Sequence, residues 1–119
     1  MNREIKFRAR NNKCWIYCDA IINGWAILNE NGGMAKINPE TVGQYTGLKD
    51  KNGKEIYEGD IVLIDKENNI KGIVKYSEVF AQFIIVNTNS FADEAEPLGD
   101  YEDLEILGNE YENPELLEE

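Results

Sequence analysis

The sequence predicts an all-β fold, arranged as a barrel-like meander of about nine short strands that ends in a short helical turn. Turn-forming residues recur every eight to twelve positions, and no long segment shows the 3.6-residue period of an amphipathic helix. The apolar segments between the turns are short and rich in Val, Ile and aromatic residues. A closed or nearly closed barrel is expected because closure removes exposed strand edges.

The first third of the chain predicts four strands. Ile5 and Phe7 alternate with charged residues in EIKFRAR, and the turn NNK leads into a second strand, CWIYC. Two further strands, GWAIL and MAKI, flank the loop NENGG, which is rich in residues that accept positive φ.

The middle of the chain predicts a tight hairpin followed by a buried strand. Gln44 to Leu48 and the segment EIY flank KDKNGK, where Asn52-Gly53 predicts a type I′ turn with positive φ at both central residues. Gly59-Asp60 forms a corner. The segment IVLI follows without alternation, which is typical of a strand buried on both faces.

The remaining strands form a meander and a final strand. The turn KENNIK leads into the strand GIVKY, and the turn SEV leads into the strand FAQFIIVN. In DLEILG apolar and polar residues alternate again, which predicts one more strand. Together, EGDIVLI, GIVKY and FIIV resemble the core of an SH3-like barrel. Asn113 as N-cap and Pro114 at the first helical position predict one or two helical turns at the end.

The chain length and the lack of a recognisable domain boundary predict a single domain over residues 1–119, with an acidic quarter, 93–119, packed on it. That quarter is expected to fold because its neighbourhood contains core-like residues: Phe91, Leu98, Leu104 and Ile106. The charged start and the lack of a long apolar run predict a soluble, cytoplasmic protein without membrane contact.

The cysteine and histidine content excludes several kinds of chemistry. Cys14 and Cys18 on one strand would lie about 13 Å apart, too far for a disulfide, so two reduced, half-buried thiols are expected. The chain has no His, so catalytic His pairs and imidazole metal ligands are absent. We expect no cofactor, no metal and no catalytic residue.

The net charge of −11 is unevenly distributed. Residues 1–92 contain twelve Lys or Arg and eleven Asp or Glu, whereas residues 93–119 contain twelve acids and no base. Such a block disfavours contact with nucleic-acid phosphates and suits a basic partner surface or a mimic of nucleic-acid charge.

Three segments resemble a known family. QYTGLKDKNGKEIYEGDIV is similar to the signature of the YopX family, and EIKFRA and DLEILGNEYENPELL are similar to the family's two ends. The YopX family comprises small proteins of bacteriophages and prophages in Gram-positive hosts. The resemblance therefore implies a β-rich fold, a phage context and no assigned activity or catalytic residue.

Two groups of residues are candidates for binding. Backbone geometry accounts for the Gly and Asn residues of the central stretch but leaves other side chains unexplained, and these form the candidate binding surface: Tyr45, Thr46, Lys49, Lys51, Lys54 and Glu58. The acidic face comprises Asp100, Glu102 and Asp103.

Each candidate also has a structural interpretation. Lysines on a hairpin tip discourage edge pairing, and Tyr45 could be a half-buried strand residue. Glu58 and Asp60 could hold a divalent metal, whereas Asp60 could instead accept a hydrogen bond within the turn.

Four functions follow from these features. The favoured hypothesis is a non-enzymatic phage accessory protein that binds a host or phage protein and forms homo-oligomers. The second is an acidic nucleic-acid mimic that inhibits a nucleic-acid-binding protein. A small metal-dependent hydrolase that uses Glu58 and Asp60, and a nucleic-acid-binding barrel that uses the lysine hairpin, are weaker alternatives.

Overall fold

A computed structural model describes residues 4–28, 33–88 and 95–117. The predicted all-β class is confirmed: the described residues form twelve strands and three short 3-10 helices. Among these residues, no helix has the length and apolar character needed to cross a membrane.

The chain divides into two compact units, residues 1–47 (unit 1) and 48–119 (unit 2). Unit 1 contains five complete strands and the start of a sixth. They are β1 (Phe7–Arg10), β2 (Trp15–Cys18), β3 (Ala20–Ile22), β4 (Trp25–Ile27), β5 (Met34–Lys36) and β6 (Gly43–Lys49), which continues into unit 2.

Unit 1 contains strands of two antiparallel sheets and has its own hydrophobic core. β1 lies between β2 and β6, while β4 lies between β3 and β5. The core is formed by buried residues of three strands and by the residue that follows β5: Ala9, Cys18, Ala26 and Ile37.

The two cysteines of unit 1 are free thiols in different surroundings. Cys14 precedes β2 and is exposed, so the expectation that it is half-buried is wrong. Cys18 ends β2 and is buried. Its burial raises its pKa, and the neighbouring Asp19 carboxylate adds to this effect although the Ala20 N–H opposes it.

The strands of unit 2 are β7 (Glu55–Tyr57), β8 (Asp60–Asp65), β9 (Ile70–Ser77), β10 (Gln82–Asn87), β11 (Ala95–Pro97) and β12 (Glu105–Asn109). The last five form one antiparallel sheet with the strand order β11-β10-β9-β8-β12, whereas β7 pairs with β6. The predicted meander of three strands is confirmed as β8, β9 and β10.

The core of unit 2 gathers residues from the whole unit. Its buried members are Ile56, Val62, Val74, Ile85, Leu98 and Leu104. The segment IVLI lies in β8, inside the sheet; Ile61 and Val62 are completely buried as predicted, whereas Leu63 and Ile64 are only half-buried. Leu98 and Leu104 belong to the acidic quarter, and Phe91 lies outside the described residues.

The barrel expectation is wrong in detail. The described residues form three sheets, and none closes into a barrel. β3 and β11, three residues each, were not predicted. β11 ends in Pro97, which cannot donate a ladder hydrogen bond and is therefore unfavourable to a strand prediction.

The chain end carries the predicted helical turn, a 3-10 helix at Pro114–Leu117. The Asn113 side chain accepts a hydrogen bond from the Asn109 N–H, 3.2 Å away, and thus faces the preceding turn. As predicted, Pro114 is the first helical residue and Asn113 directly precedes it, and the Asn113 side chain also contacts the end of β12.

Two hairpins of unit 2 have loops of the same length. Asp65 pairs with Ile70 across loop 66–69, and Ser77 pairs with Gln82 across loop 78–81. The last loop residue has a φ of 53° in both cases, but it is Asn69 in the first loop and Ala81 in the second. Asn tolerates this left-handed conformation, whereas Ala is strained by its Cβ.

We predict that Ala81→Gly raises the free energy of unfolding by about 0.5–1 kcal/mol, because the strain exceeds the entropy that glycine adds to the unfolded chain. The reciprocal change, Asn69→Ala, should destabilise by a similar amount. Urea denaturation followed by far-ultraviolet circular dichroism measures both. Equal stability of the Ala81→Gly variant and the parent would contradict the prediction.

Candidate functional site

The lysine hairpin, residues 49–54, joins β6 and β7. The Gly53 N–H donates to the Asp50 carbonyl at 3.0 Å, and the Asp50 N–H donates to the Lys54 carbonyl at 2.8 Å. Gly53 has a φ of 83°, whereas Asn52 does not have a positive φ. The hairpin therefore exists, but the predicted type I′ turn is wrong. It is a three-residue loop, a type I turn followed by a left-handed glycine.

The Asp50 side chain organises this turn from the inside. It is 6% exposed. Its Oδ1 accepts hydrogen bonds from the N–H groups of Asn52 and Lys54, both at 2.9 Å. Its Oδ2 accepts a third from the Ile106 N–H of β12, at 3.1 Å.

A backbone hydrogen bond also joins the same turn to the residue that precedes β12. The Lys51 N–H donates to the Leu104 carbonyl at 2.8 Å. The Lys51 ammonium lies 3.3 Å from a Glu105 carboxylate oxygen, an exposed ion pair that adds little stability. At the start of β12 the hairpin therefore occupies the Leu104 carbonyl and the Ile106 N–H, which would otherwise be open to pairing with another chain.

The electrostatics of Asp50 reflect this geometry. Burial alone would raise its pKa, but the N–H groups of Ile106, Lys54 and Asn52, together with the Lys54 charge, outweigh burial. The pKa of Asp50 thus lies below its ordinary value, and the carboxylate is ionised at neutral pH.

Two residues of the predicted binding surface are buried. Tyr45 is 4% exposed and Thr46 is 8% exposed. The Tyr45 ring lies under the Lys6 ammonium, 5.4 Å from the ring centroid, and its N–H donates to the Lys6 carbonyl at 2.9 Å. We therefore remove Tyr45 and Thr46 from the candidate surface, because their side chains have almost no solvent-facing area.

The corner at Gly59-Asp60 has the predicted turn geometry. Asp60 is 2% exposed, and its Oδ2 accepts a hydrogen bond from the Tyr57 N–H at 2.8 Å. Gly59 has a φ of 91°, and Glu58 is half-buried beside it. The described part of the chain contains no group of three His, Cys, Asp or Glu residues placed to hold a metal ion.

A pocket in unit 2 brings together residues that were predicted separately. It measures about 110 Å³, and buried Ile56, Leu98 and Leu104 contribute apolar walls. Lys49 of the lysine hairpin lines it together with Glu102 and Asp103 of the acidic face. Lys51 and Lys54 do not line it, and Asp100 ends the neighbouring 3-10 helix at Leu98–Asp100.

Comparison with protein families identifies the chain. The family described as YopX protein matches residues 2–118. The chain belongs to the YopX family. No curated protein matches it.

Two exposed apolar regions of this YopX-family chain were not predicted. The first is the tip of the β9–β10 hairpin, where Val79 is 85% exposed and Phe80 is 71% exposed. The sequence placed Phe80 in the strand FAQFIIVN, but β10 begins only at Gln82. Because this loop contains no Gly, Asn or Pro, it lacks the usual turn signal.

The second region is one face of the β3-β4-β5 sheet in unit 1. Pairing of Ile22 with Trp25, and of Ile27 with Met34, puts these four side chains on the same face. Ile22, Trp25 and Met34 are 57%, 38% and 54% exposed. Sequence alternation marked the strands GWAIL and MAKI but did not show which face would be covered.

We predict that Asp50→Asn lowers the free energy of unfolding by about 1.5–3 kcal/mol at pH 7, the usual worth of hydrogen bonds to a charged group. The folded-state pKa is lowered, so this stabilisation is fully present above the unfolded-state pKa and is lost as the pH falls through the folded-state pKa. The difference between the variant and the parent should therefore shrink below about pH 4.

The control is Asp100→Asn, which changes an exposed carboxylate and should alter stability by less than about 0.5 kcal/mol. Urea denaturation between pH 3 and pH 7 measures all three proteins. A difference between parent and Asp50→Asn that does not change with pH would contradict the role assigned to the carboxylate.

Proposed function

We propose that this YopX-family chain is a non-enzymatic phage or prophage accessory protein that binds a protein with a basic surface. The observation that carries the proposal is the division of charge between the two units. Residues 1–47 contain six Lys or Arg and four Asp or Glu, a net charge of +2. Residues 48–119 contain six and nineteen, a net charge of −13.

The acidic face is the natural place for such a contact. Asp100, Glu102 and Asp103 are all exposed and lie within four residues of each other. The negative electrostatic potential of unit 2 attracts a positively charged partner and raises the rate at which the two proteins associate. The apolar wall of the adjacent pocket suits the methylene stem of a partner Lys or Arg, with its charge beside Glu102 and Asp103.

The acidic-mimic function is a special case of the same contact. It applies if the basic surface is the partner's own nucleic-acid site, because the carboxylates then occupy positions that phosphates would take. Duplex DNA should then compete with this chain for the partner, whereas an accessory protein that binds elsewhere would be unaffected by DNA.

We predict that charge reversal at the acidic face, Asp100→Lys with Glu102→Lys and Asp103→Lys, weakens binding to the partner at least tenfold at low salt and reduces its salt dependence. The partner is a protein recovered by affinity capture from the phage host, and titration at 50 and 300 mM salt measures the affinity.

A matched control reverses three exposed acids of unit 1, Glu4→Lys, Asp19→Lys and Glu40→Lys. It changes the net charge by the same amount, so the proposal requires it to weaken binding much less. Equal losses would mean that only the overall charge matters, and no loss in either variant would contradict the proposal.

A second proposal is self-association through unit 1, favoured by the exposed apolar face around Trp25. The small net charge of unit 1 lets two copies approach there, whereas the −13 of unit 2 opposes contact between two such units. Three exposed side chains make a small patch, so a weak, concentration-dependent dimer is expected.

We predict that sedimentation velocity shows the parent chain associating in the range of about 10–500 µM, as a small interface implies. Trp25→Ser and Met34→Lys should each abolish association, while Val79→Ser, an equally polar change on unit 2, should not. A parent chain that is monomeric throughout this range would contradict self-association.

A further inference from the structure

The tip of the β9–β10 hairpin, residues 78–81, exposes more apolar side chain than a turn requires. Val79 and Phe80 are the two most exposed large hydrophobic residues of the described chain. An exposed apolar residue alone is common on protein surfaces, but two adjacent large ones at a protruding tip are not explained by chance exposure.

The neighbouring hairpin shows that the loop geometry does not require apolar residues. Loop 66–69 of the β8–β9 hairpin has the same length and ends in the same left-handed conformation. In both hairpins an oxygen of the residue before the loop accepts an N–H three positions later, from Asn68 to Asp65 at 3.4 Å and from Phe80 to Ser77 at 3.2 Å.

The positions of Val79 and Phe80 are occupied by Glu67 and Asn68 in that neighbouring loop. Polar residues therefore satisfy the same backbone without exposing apolar surface to water. The fold alone therefore does not explain why the β9–β10 tip carries Val79 and Phe80.

Aromatic packing in the strands next to the tip supports the hairpin. Tyr76 and Phe83 are cross-strand partners in β9 and β10, and their rings meet edge to face at 5.2 Å. Phe83 also packs against the core of unit 2. Val79 and Phe80 thus project from a supported hairpin, which lowers the entropy that binding would cost.

The charge of unit 2 restricts what the tip can contact. A net charge of −13 repels an anionic membrane surface, nucleic acid and a second copy of the same unit. An apolar hairpin tip is complementary to a concave apolar site, and the net charge of unit 2 as a whole favours a partner protein with a basic surface.

We infer that the β9–β10 tip is an anchor that places Phe80 in an apolar cleft of a protein partner. It is a contact separate from the acidic face. The carboxylates act at long range on the association rate, and the buried Phe80 ring slows dissociation.

Site-specific photocrosslinking tests this assignment in the phage host. The chain is produced with p-benzoylphenylalanine in place of Val79, and Phe80 is kept. The matched control carries the same photoreactive residue in place of Glu67, at the equivalent position of the neighbouring tip. Irradiation followed by mass spectrometry identifies the crosslinked molecule and the crosslinked peptide.

The expected result is a crosslink from position 79 to an apolar segment of one protein, at least tenfold stronger than that from position 67. Adding Phe80→Ser should reduce the crosslink at least tenfold without changing the thermal unfolding midpoint, because the side chain is exposed. With the purified partner, Phe80→Ala should raise the dissociation rate at least tenfold and leave the salt dependence of association unchanged.

Other results would overturn the inference. These are a crosslink to lipid, a crosslink to a second copy of the chain, equal crosslinks from positions 67 and 79, a crosslink that survives Phe80→Ser, and no crosslink at all. The charge-reversed acidic face separates the two proposals: it should lower the yield at position 79 but leave the crosslinked peptide the same. If charge reversal abolished binding but no crosslink formed at position 79, the inference that the tip is an anchor would be wrong and the proposed contact through the acidic face would stand.

Discussion

The arrangement of the candidate site depends on one buried carboxylate. Asp50 is held by three backbone N–H groups, two from its own turn and one from β12. A buried charge is stable only when its oxygens are satisfied in this way, so the turn and the strand position each other. That attachment fixes Lys49 near Glu102 and Asp103, and it covers the start of a strand edge that would otherwise be open to pairing with another chain.

The sequence predicted features that arise from local geometry. The hydrogen bond that Asp60 accepts within its turn, the burial of Ile61 and Val62, the β8–β10 meander and the final helical turn all follow from residue type and short-range pattern. The site residue Asp50 was not predicted. Its third partner, Ile106, lies fifty-six positions away along the chain, and no local sequence pattern indicates a hydrogen bond between a turn and a distant strand.

The errors have equally specific causes. Asn52-Gly53 favours a type I′ turn on its own, but Asp50 accepts hydrogen bonds from Asn52 and Lys54 and stabilises a three-residue loop with only Gly53 left-handed. Tyr45 and Thr46 lie next to each other on a strand and would be expected to face opposite sides, yet both are buried. Which faces of a strand are covered is decided by the rest of the fold.

The β9–β10 turn was predicted at residues 77–79, but the loop extends to Ala81, and this error has a different cause. The loop sequence has no turn residue, since Ala81 adopts a conformation that Asn or Gly would take more readily, and its apolar side chains extend the appearance of a strand. Both departures reduce stability, and the adjacent hairpin avoids them with Glu67, Asn68 and Asn69 at the same positions. Local rules are broken most often where a surface serves a purpose other than folding. The coincidence of a strained Ala81 and an exposed Phe80 in one loop is therefore stronger support for a binding role than either feature alone.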